Sequence, residues 1–90
     1  MAENVKVDIR NADMSPEMRD SAAKIAVRAA LECKVEKDMA GFVKKEFDRR
    51  YGETWHCIAG KDYGSNVTHE KHAFIYFYVN EMAFLLFKTA

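Results

Sequence analysis

The chain has 90 residues, 49% of them hydrophobic and 31% charged, with a formal net charge of zero. That describes one domain over residues 1–90 with a modest core, burying roughly 60–65% of its unfolded surface. Neutrality removes the electrostatic footprint of a nucleic-acid binder, and no run approaches the roughly 18 apolar residues of a membrane-spanning helix.

The first element is a short strand. Val5-Lys6-Val7-Asp8-Ile9-Arg10 alternates apolar and polar, as a half-buried strand does, and Asn11-Ala12-Asp13-Met14 follows as a connector. Ser15-Pro16-Glu17 announces a helix, with a hydroxyl for the N-cap, proline at the first helical position and a carboxylate in the first turn. From Pro16 to about Cys33 the apolar positions Met18, Ala22, Ile25, Ala26, Ala29, Ala30 and Cys33 share one face. Asp20, Lys24, Arg28 and Glu32 stand four apart on the other, placed for ion pairs. A second helix is expected from Glu36 to Arg50, with Met39, Phe42, Val43 and Phe47 as its apolar stripe. Gly41 interrupts it at a propensity cost of about 1 kcal/mol, and Gly52 closes it in a left-handed position.

The period then changes to two. Strands are expected at Thr54–Gly60, Lys61–His69, Ala73–Val79 and Met82–Phe87, which makes an α+β domain with both helices on one sheet face. Alternation sends Phe74, Tyr76 and Tyr78 one way and Ile75, Phe77 and Val79 the other; Phe84 and Leu86 likewise oppose Ala83, Leu85 and Phe87. Two helices cover one of these faces and leave the other as an aromatic patch too large for a soluble monomer. A second copy of the chain, packed across a twofold axis, is the economical cover; a small barrel closed on itself is the alternative. The Lys61–His69 segment is polar with a central glycine, which suits an edge strand that takes up an extended peptide.

Thr54-Trp55-His56-Cys57-Ile58, Gly64-Ser65, Val67-Thr68-His69-Glu70, Phe74-Ile75-Tyr76-Phe77-Tyr78 and Leu85-Leu86-Phe87-Lys88 resemble the small cytoplasmic dynein light chain family, the homodimeric peptide-binding hub type. Asn11-Ala12-Asp13-Met14-Ser15, Glu36-Lys37-Asp38 and Lys44-Lys45-Glu46-Phe47-Asp48 are similar too, so the resemblance spans nearly the whole chain. It implies two helices on a mainly antiparallel five-stranded sheet, and a homodimer in which the Lys61–His69 strand crosses to the partner's sheet. It also implies two symmetric grooves that bind Thr-Gln-Thr-like linear motifs by strand addition.

Carried onto this chain, the resemblance places Lys61, Asp62, Tyr63, Gly64, Ser65, Asn66, Val67, Thr68 and His69 along the groove. Glu36 and Lys37 would meet the partner's glutamine, and Arg10, Asn11, Phe74, Tyr76, Tyr78 and Ala83 would line the floor and ends. His56, Tyr63, Ser65, Asn66, Val67 and His69 would form the dimer interface, and Thr89 aligns with a C-terminal serine that the family phosphorylates. A histidine buried there favours its neutral form, so acid is expected to weaken the dimer. Departures from the family pattern include Asn66 for tyrosine, Asp62 and Tyr63 for asparagine and phenylalanine, and Asn80-Glu81 for Gly-Gln.

The partners so implied are a second copy, a dynein intermediate chain and disordered segments, in a cytoplasmic, microtubule-associated setting. The alternative is a dedicated structural subunit of an axonemal or membrane-associated cytoskeletal complex. His69-Glu70-Lys71-His72 lacks the spacing of a helical zinc site, and His56 and Cys57, as strand neighbours, point to opposite faces. We therefore expect no enzyme activity, no cofactor and no metal, and read Cys57 as a buried structural thiol.

Overall fold

The computed structural model describes residues 5–61 and 71–89. Its elements run β1 (Val7–Asp13), α1 (Pro16–Glu32), α2 (Glu36–Tyr51), β2 (Trp55–Lys61), β3 (Phe74–Val79) and β4 (Met82–Lys88). The strands form one antiparallel sheet in the order β1-β3-β4-β2, with α1 packed on α2 and β3, and α2 on β2.

Both helices begin and end where their local chemistry dictates. The Ser15 hydroxyl accepts the Met18 N–H at 3.2 Å, and Pro16 opens the helix. Lys24 pairs with Asp20 at 3.1 Å and Arg28 with Glu32 at 3.4 Å. α2 has no side-chain cap at its start, where the Val35 carbonyl accepts from Asp38 and Met39. It stops at Gly52, whose φ of +81° with ψ of 163° lies beyond the left-handed helical region, in a corner open to glycine.

The core lies between helices and sheet. Ala22, Ile25, Ala26 and Ala29 of α1 and Met39, Val43 and Phe47 of α2 meet Trp55, Ile75, Phe77, Val79, Phe84 and Leu86. The alanine stripe lets α1 sit close to the strands, and each fully buried large side chain contributes roughly 1.5–3 kcal/mol. Trp55 packs edge-on against Phe47, with ring centroids 4.8 Å apart.

Two expectations are corrected. β1 runs on through Asn11-Ala12-Asp13, the residues read as a connector, because a bulge between Ile9 and Asn11 shifts the register and keeps the strand paired with β3. Gly60 does not end β2: it pairs with Ala83, and Lys61 continues the ladder opposite Met82 rather than opening a new strand. The sheet has four strands among the described residues; the expected Lys61–His69 strand, beyond Lys61 itself, lies outside them. At the β3–β4 turn Asn80 takes a φ of 54°, a conformation asparagine tolerates better than most residues. Its side-chain oxygen accepts the Lys6 N–H at 2.9 Å while its own N–H donates to the Lys6 carbonyl at 2.8 Å.

Asp48 clasps the helical layer to the sheet. One carboxylate oxygen accepts the Trp55 N–H at 2.8 Å and the other pairs with Lys44. Burial pushes this carboxyl up, but the Lys44 ammonium and the Trp55 N–H outweigh it and hold the group below its ordinary 3.8. The ionised form therefore stabilises the fold above about pH 3.8, and that stabilisation disappears as the pH falls through the lower folded value. Asp48→Ala should lower the unfolding free energy by about 1–3 kcal/mol in urea titrations at pH 7, since the Trp55 N–H loses its partner. The gap between variant and parent should narrow once the pH drops below about 3.8.

Candidate functional site

Strand alternation gives the face away from the helices a regular lattice. The register aligns Asp8, Tyr78, Ala83 and Gly60 in one row, Asn11, Tyr76, Leu85 and Ile58 in the next, and Asp13, Phe74, Phe87 and His56 in a third. Ile58 is 45% exposed, whereas Leu85, between Tyr76 and Ile58, and Ala83 are fully buried. This face is therefore less open at its centre than alternation alone suggests. The Tyr76 and Tyr78 hydroxyls stand 3.4 Å apart, and the Arg10 guanidinium lies 4.6 Å from the centre of the Tyr78 ring. Arg10 donates to Asp8 at 2.7 Å, a bond that pushes the guanidinium further up from its ordinary value.

A groove runs along the opposite edge of the sheet, between β2 and the start of α2. Its cavity volume is about 670 Å³, and it is lined by Glu36, Lys37, Ala40, Gly41 and Lys44 from the helix, His56, Cys57, Ile58 and Ala59 from β2, and Phe87. Thr89 donates its N–H to the Thr54 carbonyl, while the Trp55 N–H turns the other way, to Asp48. The antiparallel alternation then directs the backbone groups of Cys57, Ala59 and Lys61 away from β4, toward the side where a further strand would pair.

The expected site residues thus fall into two groups. Arg10, Asn11, Phe74, Tyr76, Tyr78 and Ala83 come together on β1, β3 and β4, and Glu36 and Lys37 flank β2 at the far edge, the edge that ends in Lys61. Among the described residues the two groups lie toward opposite edges of the sheet, with Ala83, opposite Gly60 of β2, between them. Asp62, Tyr63, Gly64, Ser65, Asn66, Val67, Thr68 and His69 lie outside the described residues.

His56 is exposed in the single chain rather than buried. Its ring stacks on Phe87 with centroids 5.2 Å apart, and its Nε2 lies 3.0 Å from the Thr89 hydroxyl. Cys57 points to the opposite side, into the helical core, so the two make no catalytic pair. The residue keeps some exposure because its backbone forms the sheet edge, but burial pushes the thiol up to about 12. His72 hydrogen-bonds Asp13 through both its backbone N–H, at 3.1 Å, and its ring Nδ1, at 3.2 Å. Among the described residues no three His, Cys, Asp or Glu side chains converge as a metal site.

Sequence reasoning missed Ile58, Phe87 and the Ala40-Gly41 pair as groove residues. Ile58 could have been found from alternation, since it follows His56 by two positions. Gly41 was read as a helix defect. In the fold it opens the groove, and a Cβ added there would meet nothing within 4 Å.

A family model described as Dynein light chain type 1 matches residues 6–89. A dynein light chain of Schistosoma mansoni is 56% identical over 84 residues, which span 93% of this chain and 94% of that protein. Among solved structures, the dynein light chain-like domain of the Fasciola hepatica calcium binding protein FhCaBP2 superposes with a TM-score of 0.85. That match has 22% identity and covers 98% of this chain and 95% of that one. The DLC-like domain of CsTAL3 gives a TM-score of 0.77 at 18% identity, over 92% of each chain. These two share the fold.

The two thiols should differ in reactivity. Iodoacetamide labelling of the native protein, read by peptide mass spectrometry, should modify the half-exposed Cys33 and spare Cys57 until denaturant is added. Equal labelling of both in the native state would reopen the case for a functional Cys57.

Proposed function

Because the chain belongs to the dynein light chain family, we propose that it acts as a non-enzymatic homodimeric adaptor for short linear peptides. Two copies pair sheet to sheet. The segment that follows Lys61, residues 62–69 of each copy, would cross to the β2 edge of the other as a fifth strand, and a disordered partner segment with a Thr-Gln-Thr-like core would add beside it. The dynein intermediate chain is the proposed motor partner, in a cytoplasmic, microtubule-associated setting.

The observation that supports this reading is the apolar sheet face turned away from the helices, where Phe74, Tyr76, Tyr78, Leu85, Phe87 and exposed Ile58 converge with none of the described helices over them. A second copy is the cover of matching shape. Pairing would also unite the two separated groups of candidate residues: Glu36 and Lys37 of one protomer would face the added strand at one end, and Arg10, Asn11, Phe74, Tyr76, Tyr78 and Ala83 would supply floor and ends. Tyr63, Ser65, Asn66, Val67 and His69 would complete the interface beside His56. Ladder bonds would give generic affinity and side-chain pockets the preference for threonine and glutamine. A phosphate on Thr89 would place charge beside His56 at the edge of that interface. Two symmetric grooves make the adaptor bivalent, which raises avidity by about 10²–10⁴ over a single site.

Light scattering with and without a Thr-Gln-Thr peptide tests assembly and ligand together. The expected result is a two-chain mass that binds two peptides. Ile58→Lys should keep its circular dichroism, since the side chain is 45% exposed in the protomer, yet run as a single chain. A parent protein that stays single at high concentration and binds no extended peptide would overturn the reading.

A further inference from the structure

A second depression lies on the outer side of α2. It is lined by Cys33, Lys37, Asp38, Gly41, Phe42 and Lys45, with a cavity volume of about 380 Å³. It shares Lys37 and Gly41 with the groove at β2. Since no side chain stands at Gly41 and the space around its missing Cβ is empty to 4 Å, α2 presents a notch between the two hollows rather than a ridge.

The shelf beyond the notch is apolar and cationic. Half-buried Phe42 and Cys33 form its apolar part, and the Arg28 guanidinium, 5.4 Å from the Phe42 ring centre, closes one side. Leu31 and Val35, 57% and 56% exposed, continue apolar surface at the same end of the helical layer. Lys24, Arg28, Lys44, Arg49 and Arg50 each have a carboxylate in ion-pair range. Lys37 and Lys45 have none among the described residues, and Asp38, the one acid lining the shelf, pairs with neither. Two ammonium groups without an ion-pair partner among the described residues, against the single carboxylate of Asp38, leave the apolar shelf net cationic and complementary to an apolar side chain flanked by carboxylates.

We propose that this notch and shelf form an accessory subsite for the residues that flank the core motif of a bound peptide. The substrate class is a linear segment that carries, outside its Thr-Gln-Thr-like core, an apolar residue next to one or more acidic ones. The segment leaves the space between the crossing strand and α2 over Gly41, seats its apolar side chain on Phe42 and Cys33, and sets its carboxylates against Lys37 and Lys45. This rests on the peptide-binding reading above and adds to it a rule for partner choice.

The test measures Kd by fluorescence anisotropy with the intact protein. The probes are a bare Thr-Gln-Thr peptide, the same peptide extended at either end by Gly-Gly-Leu-Glu-Glu, and extensions ending in Leu-Lys-Lys. Each is run against the parent and against Lys45→Glu, a change at an exposed position outside the β2 groove. The acidic extension at one end should bind about tenfold more tightly than the bare peptide, a gain that shrinks in salt, vanishes in Lys45→Glu and is absent for the lysine extension. Equal affinities for bare and extended peptides, or a gain that survives Lys45→Glu, would overturn the subsite and leave the groove reading standing. Failure of the bare peptide to bind would remove both.

Discussion

A pleated strand sends each side chain to the face opposite its neighbour's, and this sheet carries apolar residues on both. Phe74-Ile75-Tyr76-Phe77-Tyr78-Val79 places three large groups on each side, and β4 repeats the arrangement with Ala83, Leu85 and Phe87 against Phe84 and Leu86. The helices satisfy one side completely: Ile75, Phe77, Phe84 and Leu86 are fully buried beneath them. Among the described residues no helix reaches the other side. A chain of this length has one helical layer to give, and the apolar residues of the second face, among them the fully buried Ala83 and Leu85, lie on the side away from it.

The groove at β2 follows from the way α2 meets the sheet edge. Asp48 fixes the helix to the first residue of the strand, and the methyl of Ala40 and the bare Cα of Gly41 keep the helix surface back from the rest of it. The outward backbone groups of β2 consequently face a hollow instead of a wall. Strand addition needs both an unsealed ladder and room beside it, and this edge combines them. Glu36 and Lys37 stand at the helix end of that hollow because Val35, extended and uncapped by any side chain, starts α2 there.

Much of this was legible before any coordinates. Ser15-Pro16 and Gly52 marked helix ends to within a residue, because caps are written in local chemistry. The two sheet faces were legible because alternation has no exceptions within an unbroken strand. β1 was harder: its bulge near Arg10 breaks the period, so Asn11 and Asp13 looked like loop residues although they pair with Tyr76 and Phe74. Gly60 looked like a turn for the same local reason, while its pairing with Ala83 depends on a strand more than twenty positions away. His56, expected to be buried against a second copy, is exposed in the single chain, and strand alternation alone does not say which face is covered. Gly41 carried the least readable signal, since a helix-weakening residue and a residue that keeps surface clear look identical in a string of letters.

Trp55 has a practical consequence. It is the single tryptophan of the chain, 1% exposed, and wedged beside Phe47 and Tyr51 on the helical side of the sheet. Its emission reports whether the helical layer is seated and is shielded from events on the far face. Intrinsic fluorescence can therefore follow the seating and loss of the helical layer without an added dye.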